Sequence, residues 1–389
     1  MKKVITTEKQ PIKLWLDDIE SGAFEQARNL ANLPFIFQHV AVMPDAHQGY
    51  GMPIGGVMAS EEMVVPNAVG VDIGCGMCAV RTSLTTISTD QLKRVLAEIR
   101  RTVPLGFNHH KKKQDPRLMP KADVALDELP VIAGEYQSAL TQLGTLGGGN
   151  HFIEIQKGDD GHIWLMVHSG SRNLGFKVAN HYNRLAMDLN RQWGSKIPTS
   201  WQLAFLPITS TAGQTYLHEM SYCVDFAFAN RKMMMERVKD ALLSVVQPVF
   251  FEPMINIAHN YAAMEFHFDK HVLVHRKGAT RAQAGEIGIV PGSQGSPSYI
   301  VRGKGNRDSF ESSAHGAGRK MGRKQAQRQL NLEQEKKRLD DQGIIHAVRS
   351  TGDLDEAAGA YKDIDEVIEN QLDLVEVLVA LRPLAVIKG

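Results

Sequence analysis

The stretch GVDIGCGM, residues 70–77, places one acid and one thiol among three glycines. Cys75 is one of only three cysteines in the chain, and it lies between Gly74 and Gly76, which supply none of the apolar packing that a structural cysteine normally has. A thiolate and a carboxylate are both anionic metal ligands, and glycines let the backbone bend around an ion. Asp72 and Cys75 therefore fit a metal site and a buried strand-end turn equally well. In both cases another group must approach closely here.

Composition sets the class of protein. The chain has 389 residues, 43% of them hydrophobic, which is enough for a large core. Its net charge of +1 argues neither for nor against a nucleic-acid partner, so any such surface must be local. The N-terminus lacks the apolar region of a signal peptide, and no apolar run approaches the roughly 20 residues of a membrane helix. With so few cysteines, the sequence predicts a soluble, cytoplasmic protein of a reducing compartment without a membrane partner.

Periodicity predicts the main secondary-structure elements. Amphipathic helices are expected over 20–33 and 88–101, the second opening on a capping-box pattern, and one long helix over 215–246. A hairpin is expected from 151–156 and 162–170. Strand character returns later in the chain, over 255–268, 271–278, 286–293 and 298–305.

The C-terminal region predicts a helix over 369–382, followed by a terminal strand over 384–389. The polar, basic segment 105–121 is expected to be a loop. Glycine-rich loops of similar style recur from residue 44 to residue 318, which favours a single large domain, 1–389, of mixed α/β (α+β) class. This recurrence indicates a site assembled from distant segments.

Two strand-loop junctions are suited to phosphate. In LGTLGGGNHFIEI, residues 143–155, three glycines allow phosphate to approach backbone N–H groups, and Asn150, Phe152 and Glu154 share one strand face. In WLMVHSGSRNLG an apolar strand ends at His168 and is followed by small hydroxyls, glycines and Arg172. A histidine at the mouth of a strand, such as His151, is often just hydrogen-bonded and structural, and the alternative for the His168 segment is a capped turn.

The segment ESSAHGAGRKMGRK, residues 311–324, is more telling. His315 precedes a glycine turn and a basic stretch that includes Arg319, so backbone donors and a guanidinium are available to phosphate beside an exposed imidazole. A histidine in such a place can be a nucleophile toward phosphorus. The Asp45-x-His47 pair on another glycine loop remains open between ligand, substrate contact and turn.

Nine segments occur together in one order, namely MPDAHQGYGMPIGG, GVDIGCG, LGGGNHFIEI, VHSGSR, AHN, PGSQG, SSAHGAGR, AYKDID and the terminal Lys-Gly. In this set and order the chain resembles the RtcB family of RNA-splicing ligases, from residue 43 to residue 389. The resemblance implies an RtcB-like fold. It also implies an enzyme of RNA repair or tRNA splicing that uses GTP to join an RNA 3′-phosphate or 2′,3′-cyclic phosphate to a 5′-hydroxyl.

The resemblance further implies roles for individual residues. His315 would carry a covalent GMP, which then activates the RNA 3′ end as a 3′-ppG. Two Mn²⁺ ions would be held with Cys75 as a bridge, by Asp72, Cys75, His151, His168 and His259. Thiolate and imidazole also suit zinc, so the expectation of manganese rests on the family resemblance alone.

The same resemblance implies a GTP pocket and contacts to RNA. The GTP pocket would consist of Asn150, His151, Phe152, Ile153, Glu154, His259, Asn260, Pro291, Gly292, Ser293, Gln294, Ser298, His315, Gly316, Ala317, Gly318, Tyr361 and Lys388. Contacts to RNA or phosphate are expected from Asp45, His47, Arg172 and Arg319.

Two other functions compete with an RNA ligase. A metal-dependent cyclic phosphodiesterase would need the metal ligands but neither His315 nor Lys388. A non-catalytic nucleotide-binding RNA repair adaptor would need the pocket without turnover. The presence of the expected nucleophile, metal ligands and pocket residues favours the ligase. The sequence leaves open which RNA is joined, the oligomeric state and the need for an activating protein partner.

Overall fold

Seventeen β-strands and nine α-helices make up residues 1–389 in the computed structural model. The helices are α1 (Ser21–Ala31), α2 (Pro66–Val69), α3 (Thr89–Thr102), α4 (Pro130–Gln142), α5 (Arg172–Gln192), α6 (Thr211–Leu243), α7 (Arg323–Gln329), α8 (Leu332–Asp340) and α9 (Ile364–Glu369). The strands are β1 (Lys3–Ile5), β2 (Ile12–Leu14), β3 (Ile36–His47), β4 (Ile54–Ser60), β5 (Met63–Val64), β6 (Gly76–Arg81), β7 (Phe152–Gly158), β8 (Ile163–Ser169), β9 (Leu206–Pro207), β10 (Ile255–Ala258), β11 (Asn260–His267), β12 (Lys270–Lys277), β13 (Ala279–Arg281), β14 (Ile287–Val290), β15 (Ser298–Gly303), β16 (Ser312–Ala314) and β17 (Val375–Lys388).

Two large sheets contain thirteen of these strands, and the other four form two-stranded sheets, β13 with β16 and β5 with β9. A six-stranded sheet has the order β1-β2-β3-β4-β12-β11, and its only parallel pair is β2 with β3. A seven-stranded sheet has the order β10-β6-β8-β7-β17-β15-β14 and is antiparallel throughout. With helices packed against both sheets, the mixed α/β class is confirmed.

The core explains why the inner strands are almost continuously apolar. Along β3, Val40 and Val42 belong to one buried cluster, whereas Ala41 and Met43 belong to another on the opposite face. A strand buried on both faces loses the hydrophobic and polar alternation of a surface strand. Helix α6 packs against the seven-stranded sheet and also contacts α3 and α5.

Most predicted elements are confirmed. Helices α1, α3 and α6 lie where periodicity places them, and the capping box is present, because Ser88 Oγ accepts from the Gln91 N–H at 3.2 Å. The predicted hairpin is β7–β8. Segment 105–121 is a loop with one short 3₁₀ turn, Pro116–Leu118.

Two predictions of elements were wrong in detail. The segment 255–268 is not one strand, because the chain leaves β10 of one sheet at His259 and enters β11 of the other. His259 therefore lies where the two sheets meet.

The helix predicted over 369–382 is also wrong, since α9 ends at Glu369 and most of the segment belongs to β17. This strand pairs with β15 on one side and β7 on the other. Alternating valines fit a strand, and hydrogen bonds to two neighbours outweigh a local helical pattern. The register shifts between Pro383 and Ala385, as expected where a residue lacks an N–H to donate.

None of the helices combines the length and the apolar character that a membrane crossing requires. All three cysteines are free and buried.

Candidate metal centre and adjoining pocket

Close backbone approach explains the glycines around Cys75. A Cβ on Gly76 would lie 1.9 Å from the carbonyl oxygen of Ile257, because β10 runs directly alongside β6. Gly74 has a φ of +72°, a conformation that side-chain-bearing residues rarely adopt. The Cys75 carbonyl then accepts the N–H of His259 at 2.8 Å. The glycines thus bring a third segment onto the thiol.

Four predicted ligands are in direct contact. Cys75 Sγ lies 3.3 Å from His168 Nε2 and 3.5 Å from His151 Nε2, and His151 Nε2 lies 3.1 Å from Asp72 Oδ2. The ligand atoms of Cys75, His151 and His168 all lie within 4.8 Å of one another. The pairing of β7 with β8 accounts for this, since Phe152 stands opposite His168 and His151 immediately precedes Phe152.

The fifth predicted ligand, His259, lies beside this cluster. Its ring centroid is 5.4 Å from that of His168 and 4.8 Å from that of His315. His259 Nδ1 is buried and has no hydrogen-bond partner. A buried polar atom without a partner is costly, so an additional group fits here.

The electrostatics of the cluster fit a cation. Burial lowers the pKa values of His168 and His259, which keeps both imidazoles neutral, and burial raises the pKa of the Cys75 thiol. His168 Nδ1 lies 3.1 Å from the Asn150 carbonyl oxygen, which leaves Nε2 directed at Cys75. Metal-binding histidines typically use the second nitrogen in this way. Neutral imidazoles with a thiol and a carboxylate form a suitable donor set for a divalent metal.

His315, the predicted nucleophile, follows β16. Its Nδ1 lies 2.5 Å from Asp45 Oδ2, which also accepts the His315 backbone N–H at 3.1 Å. Asp45 has 0% of its surface exposed. This position differs from the phosphate contact predicted for Asp45, because a fully buried carboxylate on the imidazole is placed to hold the ring. With Nδ1–H donated to Asp45, Nε2 carries the free lone pair.

The other predicted phosphate contacts lie in three settings. His47 borders the site, and burial lowers its pKa to about 4. Arg172 Nη1 is 3.3 Å from His151 Nδ1. Arg319 stacks over the Tyr361 ring at 5.1 Å and donates to the Asp355 carbonyl at 2.5 Å.

A cavity of about 810 Å³, open to solvent, lies next to His315. It brings together most residues predicted for the GTP pocket: Asn150, Phe152, Glu154, Pro291, Gly292, Ser293, Gln294, His315, Gly316, Ala317, Gly318, Tyr361 and Lys388. His168, His47 and Arg319 also line it. Most of its lining residues are polar or charged, which suits a charged ligand.

Several residues predicted for the GTP pocket lie outside this cavity. Ile153 packs in the apolar core. Ser298 is buried behind the 291–294 loop, where its Oγ accepts the Gly292 N–H at 3.2 Å. His259 and Asn260 line a neighbouring groove, and His151 lies in the metal cluster.

One wall of the cavity carries a buried acid and a buried amine. Lys388 stands opposite Phe152 in the β17–β7 register, with Nζ 5.7 Å from the ring centroid. Burial lowers the pKa of Lys388 and raises the pKa of Glu154 to about 8. Glu154 Oε2 accepts from Gln156 Nε2 at 2.7 Å, and both Glu154 and Lys388 line the cavity, where a ligand can reach them.

Sequence reasoning missed Glu356, which also lines the cavity and joins several of its side chains. Its carboxylate accepts from Tyr361 Oη, pairs with Arg319 at 3.2 Å and accepts from Arg323 Nε at 3.0 Å. The only sequence signal for Glu356 was its position five residues before Tyr361, which was predicted to line the pocket.

Lys277 was also missed. It lines a groove of about 1780 Å³ that shares His47, Asn150 and His315 with the first cavity. Its Nζ donates to the carbonyls of Tyr50 at 2.6 Å and Asn67 at 3.0 Å, and burial lowers its pKa to about 7. A lysine at the end of an apolar strand was the available signal.

Fold and site first define a class, a mixed α/β protein in which a Cys–His cluster suited to a metal adjoins a polar pocket. Comparison with known proteins then identifies the family. The family model described as tRNA-splicing ligase RtcB matches residues 26–129 and 121–389. The chain belongs to the RtcB family.

Relatives that match along most of both chains support the same family. The RNA-splicing ligase RtcB of Escherichia coli K12 is 39% identical over 413 residues, covering 100% of this chain and 99% of that protein. The tRNA-splicing ligase RtcB of Thermococcus kodakarensis is 34% identical, covering 95% and 92%. The RNA-splicing ligase RtcB homolog 1 of Entamoeba dispar is 33% identical, covering 94% and 81%.

Proposed function

We propose that this chain, an RNA ligase of the RtcB family, joins RNA 3′-phosphate or 2′,3′-cyclic phosphate ends to 5′-hydroxyl ends through a His315–GMP intermediate. Its role would be in RNA repair or tRNA splicing. The observation that carries the proposal is the Asp45–His315 pair at the edge of a polar cavity. A phosphodiesterase that worked through the metal ligands alone would need neither His315 nor Lys388.

In the first step, His315 Nε2 attacks the α-phosphorus of GTP. A P–N bond forms, the bond from the α-phosphorus to the bridging oxygen breaks, and pyrophosphate leaves. The imidazole becomes positively charged, and the Asp45 carboxylate at 2.5 Å from Nδ1 stabilises that charge while fixing the ring.

The second and third steps transfer the nucleotide and then release it. An oxygen of the RNA 3′-phosphate attacks the phosphorus on His315, the P–N bond breaks, and a 3′-ppG end forms. The 5′-hydroxyl of the second RNA attacks the 3′ phosphorus, and GMP leaves. A 2′,3′-cyclic phosphate first adds water to give the 3′-phosphate.

Two Mn²⁺ ions would be held by Asp72, Cys75, His151, His168 and His259. The unpartnered Nδ1 of His259 and the neutral imidazoles support this assignment. When bound, the metal supplies Lewis-acid stabilisation of charge on phosphate oxygens.

Guanine selection fits the buried acid and amine. The N1–H and exocyclic amine of guanine are donors that match the Glu154 carboxylate, and guanine O6 is an acceptor that matches Lys388. Adenine reverses the donor and acceptor at these positions. Binding of GTP would therefore favour the ionised pair.

The test is incubation with GTP radiolabelled at the α-phosphate and Mn²⁺, followed by denaturing electrophoresis. Wild-type protein is expected to retain label and His315→Ala to retain none. His181→Ala, which alters an exposed histidine on α5, is the matched control and is expected to label normally. Opening of a cyclic phosphate without any labelled protein would instead identify a phosphodiesterase, and GTP binding without label or ligation would identify an adaptor.

A further inference from the structure

Loop residues 107–113, termed the 107–113 loop, combine an exposed aromatic ring with unneutralised positive charge. Phe107 is 97% exposed, more than any other large hydrophobic side chain of the chain. Lys111, Lys112 and Lys113 are exposed, and none of them lies within 4 Å of a carboxylate. Lys113 instead donates to Gln137 Oε1 at 2.8 Å.

Hydrogen bonds hold this loop in place. The His110 N–H donates to the Thr141 carbonyl and the Gln114 N–H to the Leu140 carbonyl, each at 2.9 Å. Arg237 contacts His110 Nε2 at 2.7 Å and donates to Gln114 Oε1 at 3.0 Å. Because both ends of the lysine tract are fixed to α4 and α6, the loop presents its side chains outward as a defined surface.

The base of the loop touches the proposed active site. The Gly106 N–H donates to the Gly147 carbonyl at 3.3 Å, and Gly389 N–H donates to the His151 carbonyl at 3.2 Å. A Cβ on Gly106 would lie 3.9 Å from the Gly389 backbone. Phe107 is therefore one residue from a segment that contacts the end of β17, which carries Lys388 into the cavity.

We propose that the 107–113 loop binds the single-stranded RNA flanking the ends to be joined, with a base stacked on Phe107 and backbone phosphates on the lysines. This inference rests on the proposed function. Single-stranded nucleic acid binds where an aromatic platform adjoins a basic track, because stacking tolerates every base and the lysines displace counterions. The uncompensated charge and the contact with the catalytic segment favour RNA over a protein partner.

Phe107 is tested by fluorescence anisotropy with a labelled single-stranded RNA bearing a 3′-phosphate. Loss of one stacked base costs on the order of 1–3 kcal/mol, so Phe107→Ala is expected to weaken binding about tenfold, and Phe107→Trp to retain it. Phe250→Ala removes another exposed ring, 73% exposed, and is expected to bind as wild type. Equal affinity of Phe107→Ala and wild type would overturn the stacking site.

The lysines are tested by a salt series with the same RNA. The triple variant Lys111→Ser, Lys112→Ser, Lys113→Ser is expected to reduce the slope of log affinity against log salt by about 0.7 for each RNA phosphate that a lysine no longer neutralises. The charge-matched control is Lys2→Ser, Lys3→Ser, Lys9→Ser, with an expected wild-type slope. An unchanged slope in the loop variant would remove the tract from the RNA path.

Labelling of His315 by GTP separates this inference from the function on which it rests. Phe107→Ala is expected to label at the wild-type rate, because the loop contacts RNA and lies outside the GTP cavity. Absence of label on wild-type protein would overturn the proposed ligase mechanism. Normal labelling with wild-type RNA affinity in both loop variants would overturn the loop site alone.

Discussion

At the scale of single residues, the hydrogen bond between His315 and Asp45 spans 270 positions of sequence. The glycine turn and basic stretch identified His315 as a nucleophile candidate, because those features are local. Asp45 could not be identified as its partner from the sequence, since β3 and β16 belong to different sheets that come into contact only in the folded chain. Asp45 was consequently predicted to contact phosphate, whereas its carboxylate is buried against the His315 imidazole.

Asp45→Asn tests that positioning role. An amide does not stabilise a charged imidazole and allows the wrong tautomer, so GMP transfer to His315 is expected to slow by about 10²-fold or more. The rate of labelling is measured across pH, together with GTP affinity. The affinity is expected to change little, and an equal fall in both quantities would contradict the assignment. Asp363→Asn, at the N-cap of α9, is the control.

Glu154 makes stability depend on pH. Burial raises its pKa from 4.5 to about 8, so the folded state holds a proton that the unfolded chain releases. The stabilisation is complete below pH 4.5 and is lost as pH rises toward about 8. Since one pKa unit corresponds to about 1.4 kcal/mol, Glu154→Gln is expected to exceed wild-type stability by a few kcal/mol at alkaline pH.

Denaturant unfolding at acidic and alkaline pH measures this difference. Little difference is expected between wild type and Glu154→Gln in acid. Glu98→Gln, on α3, is expected to follow wild type throughout. A Glu154→Gln variant that loses stability on alkalinisation as steeply as wild type would show that the carboxyl ionises normally.

At the scale of elements, β17 shows where local pattern fails. The capping box at Ser88 was readable because every group that forms it lies within four residues. The strand at 369–382 could not be identified in this way, because valines and leucines at mixed spacing fit a helix as well as a strand. Pairing with β7 and β15, both distant in sequence, decides the outcome. The same pairing places Lys388 in the cavity.

Deleting Lys388 and Gly389 is expected to weaken GTP use far more than stability. The rest of β17 keeps its ladder with both neighbours, whereas the amine facing the nucleotide is removed. The KM for GTP in labelling is compared with the free energy of unfolding. Arg382→Ala, an exposed position on the same strand, is the control. Normal GTP dependence in the truncated protein would exclude Lys388 from the pocket.

At the scale of the whole molecule, the site draws on both sheets and on segments from Asp45 to Lys388. We propose that residues 1–389 fold as a single domain, since the metal ligands lie within or beside the ends of strands of the seven-stranded sheet while Asp45 lies on the six-stranded sheet. The recurrence of glycine-rich loops along the sequence had already indicated a site assembled from distant segments. Which segments meet could be named only through the family resemblance, because spacing alone does not define tertiary contact.

Metal binding is expected to stabilise the whole chain. A ligand at about 100 times its Kd adds about 2.7 kcal/mol, so Mn²⁺ should raise the Tm of wild-type protein in one unfolding transition. Cys75→Ala is expected to lose both the bound metal and this increase. Cys223→Ala, a buried cysteine among apolar neighbours, is expected to keep both. Two separated transitions, or full metal content in Cys75→Ala, would count against these proposals.

The central position of β17 also orders events during biosynthesis. The ribosome delivers β7 and β15 before β17, which pairs between them. Until it arrives, two strands carry open backbone edges of the kind that recruit foreign strands and nucleate aggregation. The nascent chain is therefore expected to pass through an aggregation-prone interval that ends only when β17 is inserted.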